Sequence, residues 1–273
     1  MVDPATTPEQ LLETLGINDP KDLDIAAIAY YCGATVLYEP LTGCEANIVG
    51  YGERAIITVN TDALQGRQRF STGHELGHWM RDRGQSAFGC SGRQIDSEWN
   101  ASNPETRANR FAGDLLLPKR LFVPLAKGRP IALDTVRALA TTFRMSLTAT
   151  AVKLVELGSF PAILVYCEHG GRKWFKRSRT VPERLWPLPR LSPGSVTCRL
   201  LSDPLAKDAE DDVRADQWFE WPQAHRYYIR ESSFRTGGDS TVTILWWKDE
   251  AQIIDIEEEE ERKAARRSDW CDE

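Results

Sequence analysis

The sequence predicts an α+β fold, and three features carry that prediction. Helical periodicities in the first 160 residues open at capping or proline residues, short apolar runs between glycine-containing turns read as a small sheet, and the texture turns strand-like beyond Phe160. A chain of 273 residues makes one large domain or two ordinary ones. With 41% apolar and 27% charged residues, neither wholesale disorder nor a membrane protein fits. The longest apolar runs, such as residues 160–167, fall far short of the roughly 20 residues a bilayer requires, so no membrane role is expected. The first ten residues lack the basic and apolar regions of an export signal, and a cytoplasmic location is expected. The cysteines at 32, 44, 90, 167, 198 and 271 form no C-x-x-C pair and are expected as free thiols. A net charge of -6 and a pI near 5.4 argue against a protein that coats nucleic acid, while leaving room for a local basic face.

The elements follow in order. Thr7-Pro8-Glu9 opens a first helix through Leu11, Leu12 and Leu15. Asp19 reads as the N-cap of a second, with Pro20 as its first residue and Gly33 as its stop. Residues 35–38, 46–49 and 55–59 read as strands. From 67 to about 83 the spacing is helical, and after a Gly/Ser-rich loop at 84–92 a helix is announced by Asn103-Pro104-Glu105 and ends before Pro118. Residues 134–157 read as two short helices broken at 143–145, with Ser146 capping the second. Beyond Phe160, strand-like runs at 162–167, 195–201, 227–230 and 241–247 alternate with Pro- and Asp-rich loops, and seven of the nine tryptophans lie there, so a second α/β or β-rich domain is expected. Glutamates 257–261 precede basic residues by about four positions, which marks a solvated helical tail.

The strongest chemical signal is His74-Glu75-Leu76-Gly77-His78. On a helix, residues i and i+4 share a face, so both imidazoles can reach one zinc while Glu75 stands beside them to activate a water. The plain alternative is a helix that merely contains two histidines. A catalytic zinc needs a third protein ligand and one open position. The extended metzincin pattern fails, because its further Gly and His would fall on Arg81 and Gly84. A carboxylate from the next helix is the other source. Glu105 lies on the same stripe as Ala108, Phe111, Ala112, Leu115 and Leu116, and a carboxylate facing a core is costly unless a cation meets it. Acidic residues also favour helix N-termini for their own sake. Asn109, one turn on, reads either as a second partner holding a ligand histidine or as a surface asparagine.

Arg69-Phe70 before His74-Glu75-x-x-His78, then Glu105-x-x-Ala108-Asn109-x-Phe111-Ala112 and Leu115-Leu116-Leu117-Pro118, resemble the ImmA/IrrE-type zinc metallo-endopeptidases over roughly residues 20–160. The resemblance implies a zincin-like, gluzincin-like protease domain with His74, His78 and Glu105 as ligands of Zn2+ and Glu75 as general base. It further implies hydrolysis of a helix-turn-helix transcriptional repressor, releasing stress, mobile-element or antiphage defence genes. The expected domains are a metallopeptidase at 1–125, helix-turn-helix-like helices at 126–159, a GAF-like sensor at 160–250 and a charged tail at 251–273. The strand at 55–59 is either an edge on which an extended substrate adds or an inner strand of the sheet.

Cys90 lies in the loop between the two ligand-bearing helices, where a thiolate would occupy the open zinc position as an inhibitory ligand released by oxidation; a small residue in a tight loop is the plainer account. The second of the two helices of 134–157 looks like the reading helix of a helix-turn-helix but offers Thr148, Thr150 and a single basic residue, Lys153, thin for phosphate contacts, so packing or substrate docking is favoured over DNA reading. The run Arg172-Lys173-Trp174-Phe175-Lys176-Arg177 interleaves bases and aromatics as single-stranded DNA binders do, and equally suits a strand with one wet face; a small-molecule trigger at this domain is the other option. The competing function is a non-proteolytic DNA- or protein-binding regulator with a structural zinc.

Overall fold

The computed structural model describes residues 2–81 and 103–269. It consists of two compact units, residues 1–125 with 138–150, and residues 126–137 with 151–273.

In the first unit, α1 (Pro8–Thr14) opens with a capping box between Thr7 and Gln10. The single helix expected after Asp19 is divided in two. Asp19 caps only a 3-10 turn, Pro20–Asp22; the chain breaks at Leu23 (ψ 76°), and α2 (Ile25–Tyr31) begins anew under Asp24, whose carboxylate accepts from the amides of Ala26 and Ala27. The physical reason is Arg69, which reaches in and donates to the Leu23 carbonyl at 3.0 Å, a group that a continuous helix would have used itself. Burial, and then the neighbouring Arg144, pull the Arg69 guanidinium down to about 10.

Three strands follow: β1 (Ala34–Glu39), β2 (Ala46–Tyr51) and β3 (Arg54–Asn60), in the order β1-β3-β2. β3 pairs parallel with β1 and antiparallel with β2, so it is the inner strand and not an edge. Ala55, Ile57 and Val59 are buried on one face, against α3 (Gln65–Arg81). The sheet and this helix meet at Gly50, where a Cβ would stand 2.8 Å from the Trp79 ring, and the Trp79 indole N–H donates to the Cys32 carbonyl. α4 (Pro104–Leu116) starts under Asn103, and its Ala108, Phe111, Ala112, Leu115 and Leu116 are all buried, as the stripe requires. α5 (Lys119–Ala126) escapes sequence reading because Pro124 interrupts its pattern.

α6 (Leu133–Phe143) and α7 (Leu147–Leu157) are joined by a tight turn with Arg144 at φ 54°, and Ser146 accepts from the Ala149 amide. Thr150 and Lys153 are buried.

The second unit is built on a five-stranded antiparallel sheet of β4 (Ala162–Glu168), β5 (Gly171–Arg177), β6 (Ala209–Arg214), β7 (Tyr228–Gly237) and β8 (Ser240–Trp246), ordered β5-β4-β8-β7-β6. Its core gathers Ile163, Val165, Trp218, Trp247, Ile253 and Ile256, the last two from α9 (Ala251–Asp269). Residues 195–201, expected as a strand, form α8 (Val196–Ser202) instead. Ser195 caps it, and the fully buried Glu231 carboxylate accepts from the amides of Val196 and Thr197 at 3.0 and 2.8 Å, a long-range partner that local propensity does not contain. Thr197 also bonds to Thr243 at 2.6 Å and Ser233 at 3.0 Å, so the carboxylate sits in a closed polar network. Burial, and then Glu231, push the Cys167 thiol up to about 12.

Removing Glu231 leaves two buried amides and a hydroxyl without their acceptor. Glu231→Ala is expected to cost the second unit about 2–4 kcal/mol, read as a lowered urea midpoint by tryptophan fluorescence. An unchanged midpoint would show that the carboxylate contributes nothing net.

Candidate metal centre

Two helices build the site. α3 supplies His74 and His78 one turn apart, and α4 supplies Glu105 from its first turn, where the Glu105 amide bonds to the Asn103 side chain. What brings the helices together is the absence of side chains. A Cβ on Gly73 would lie 3.2 Å from the Ala112 Cβ, and one on Gly77 would lie 3.0 Å from the Ala108 Cα. Two glycines four residues apart thus face two alanines four residues apart, and the backbones approach closely enough for a short carboxylate to reach the imidazoles. This pairing is the feature that sequence reasoning passed over; the matched i, i+4 spacing of Gly73/Gly77 and Ala108/Ala112 is its signal.

The donor atoms converge. His74 Nε2 stands 3.1 Å from His78 Nε2 and 3.1 Å from Glu105 Oε2, and His78 Nε2 stands 3.3 Å from Glu105 Oε1. A tetrahedral zinc with bonds of about 2.0–2.1 Å has ligand–ligand edges of about 3.3–3.4 Å, close to this spacing. Among the described residues His74, His78 and Glu105 are the group that can hold a metal ion. His74 Nδ1 lies 2.9 Å from Asn109 Oδ1, and an N–H donated there leaves Nε2 with the lone pair a metal needs. Both histidines are buried and the Glu105 side chain is 35% exposed, so among the described residues the carboxylate is the most exposed of the three donors. Glu75 is buried beside them on α3. The donor set of two imidazoles and a carboxylate fits zinc.

Cys90 lies outside the described residues. Cys167 and His169 do not form a second metal group: the thiol is buried, while His169 bonds to Asp239 at 3.2 Å. The basic-aromatic run is β5, an edge strand, in which Trp174 stacks on Tyr166 and Arg172 and Arg177 lie over the Phe175 ring. No helix among the described residues is long and apolar enough to cross a membrane.

A His-Glu-x-x-His helix joined by a carboxylate from the next helix defines a metallopeptidase-like site within an α+β unit. Residues 29–155 match the family model described as the IrrE N-terminal-like domain, which supports an ImmA/IrrE assignment for this segment. No curated protein matches the chain. Among solved structures, a Mycobacterium tuberculosis transcriptional regulator is similar, with a TM-score of 0.55 and 15% identity over 88% of this chain and 85% of that one, a likeness of fold.

Gly77→Ala forces α4 away by a few tenths of an ångström. It is expected to weaken zinc binding about tenfold or more and to destabilise the first unit by about 1–3 kcal/mol, measured by competition with a chromogenic chelator and by thermal melting.

Proposed function

We propose that this protein is a zinc-dependent endopeptidase that cleaves a helix-turn-helix repressor and so derepresses stress, mobile-element or antiphage genes. The observation that carries the proposal is the convergence of His74, His78 and Glu105 within 4.8 Å, with Glu75 buried beside them. Zinc there supplies a Lewis acid for the peptide carbonyl and for the attacking water. Glu75 takes a proton from that water on its carboxylate and delivers it to the nitrogen of the leaving amine, so the hydroxyl ends on the acyl carbon and the proton on the new N-terminus. Asn109 holds the His74 tautomer. Glu105 contributes a negative ligand and is the most exposed of the three donors.

The family-model match over residues 29–155 supports the peptidase reading, and the repressor substrate rests on the family resemblance. A regulator that acts only by binding DNA is disfavoured: Lys153, the basic residue of α7, and Thr150 are buried and ill placed for phosphates. The GAF-like sensor role of residues 160–250, with single-stranded DNA or a small molecule as trigger, rests on the resemblance and on the basic-aromatic run of the edge strand β5, of whose basic residues Lys173 is exposed. A brake by Cys90 on the open metal position is supported by its place in the chain between the ligand helices.

Zinc-loaded wild type, Glu75→Gln and Cys90→Ala are each incubated with a helix-turn-helix protein encoded beside this one, and intact masses are read. Fragments are expected from wild type or Cys90→Ala, with Glu75→Gln slower by roughly 10²–10⁴-fold while retaining zinc. Equal cleavage by Glu75→Gln would remove Glu75 from the mechanism. Asn109→Ala is expected to weaken zinc binding by about 10–100-fold, read by chelator competition.

A further inference from the structure

Arg67 and Ser71 precede His74 and His78 on α3 at spacings of four, seven and eleven residues, so all four side chains leave the helix from one face. Onto that face the fold brings a third acidic residue, Glu45. Its Oε2 accepts from Ser71 Oγ at 3.2 Å and from Arg67 Nε. The loop that carries it is held firmly. The Glu45 carbonyl accepts from the Asn60 amide at 2.9 Å, the Asn60 side chain bridges both backbone groups of Leu41, and Gln68 donates to the carbonyls of Asn60 and Thr61. A side chain fixed in this way on a rigid support is prepared to bind and has no need to fold around a partner.

The pair is also accessible. Ser71 is buried, whereas the Glu45 and Arg67 side chains are 36% and 42% exposed. Both bonds to Glu45 use Oε2, so Oε1 remains available for a further donor. Glu45 directly precedes β2, the edge strand packed on α3, and a peptide laid along β2 and across His74 and His78 passes Glu45 and Ser71 one helical turn from the ligands.

We propose that Glu45, held by Ser71 and Arg67, is a specificity-determining residue that selects a lysine or arginine side chain flanking the scissile bond. The inference rests on the peptidase reading above. Charge decides the sign. The Glu45 carboxylate lies on the turn next to the metal ligands and Arg67 a turn further out, whereas a zinc held by His74, His78 and Glu105 would offset the charges of Glu105 and Glu75, so Glu45 is the local group that attracts a cation and repels an anion. A basic side chain at the cut also suits a substrate that binds DNA, since phosphate contacts call for lysine and arginine.

The test uses full-length protein and one synthetic peptide series that varies only the residues flanking a fixed cut, with Lys, Arg, Gln, Leu or Glu. For wild type, kcat/KM is expected to favour Lys and Arg over Leu, with Glu last. Glu45→Gln is expected to lower the basic-to-neutral ratio about tenfold or more, and Arg67→Met to raise it by removing the competing cation. Because Glu45→Gln could loosen its loop, the gain in Arg67→Met is an independent reading. Binding of the same peptides to Glu75→Gln by fluorescence anisotropy separates the two claims. Cleavage with a ratio indifferent to both substitutions overturns the Glu45 inference and leaves the peptidase standing. Glu45-dependent binding of basic peptides without cleavage by any form leaves the pocket standing and overturns the peptidase. Neither binding nor cleavage overturns both.

Discussion

The close approach of α3 and α4 is the constraint on which the site depends. Helices packed through ordinary side chains sit 8–10 Å apart, and a glutamate at the start of α4 needs the near end of that range to meet two imidazoles on its neighbour. Gly73 and Gly77 against Ala112 and Ala108 provide it. Everything else about the centre is secondary to that contact: Asn103 starts α4 at the right turn, Asn109 turns His74, and the stripe from Ala108 to Leu116 anchors the helix in the core. Exposed glycines in mid-helix weaken a helix; here a Cβ would stand only 3.0–3.2 Å from the facing helix, so a side chain would press the two helices apart.

The motif itself was legible because its chemistry is local. His74, Glu75 and His78 lie within two turns, and the period of α4 put Glu105 on the buried stripe without reference to any partner. Strand positions near 35, 46 and 55 were equally readable from alternation. What escaped were features fixed by distant residues. Arg69 takes the Leu23 carbonyl from 46 residues away and splits the expected helix. Glu231 caps α8 from across the second unit and turns an apparent strand into a helix. The order β1-β3-β2, which makes the last strand central, depends on pairing that no single segment records.

The second unit shows a different economy of polar groups. Its sheet is apolar over much of one face, yet Glu231, Thr197, Ser233 and Thr243 form a buried network at the foot of α8. A network of this kind adds little net stability over an apolar core, but it admits one position for the helix. α9 is fixed at its surface by charge: Arg184 meets Glu259 and Glu260, and Lys263 first, then Arg184 and Trp221, hold the Glu259 carboxyl down to about 2.

The central claim is a zinc held by two imidazoles and a carboxylate, and X-ray absorption at the zinc edge on the full-length protein tests it most directly. The account predicts one zinc per chain with a first shell of nitrogen and oxygen at about 2.0–2.1 Å and the outer scattering of two imidazoles, lost in His74→Ala. A shell made chiefly of sulfur at about 2.3 Å, or a spectrum unchanged by His74→Ala, would contradict it.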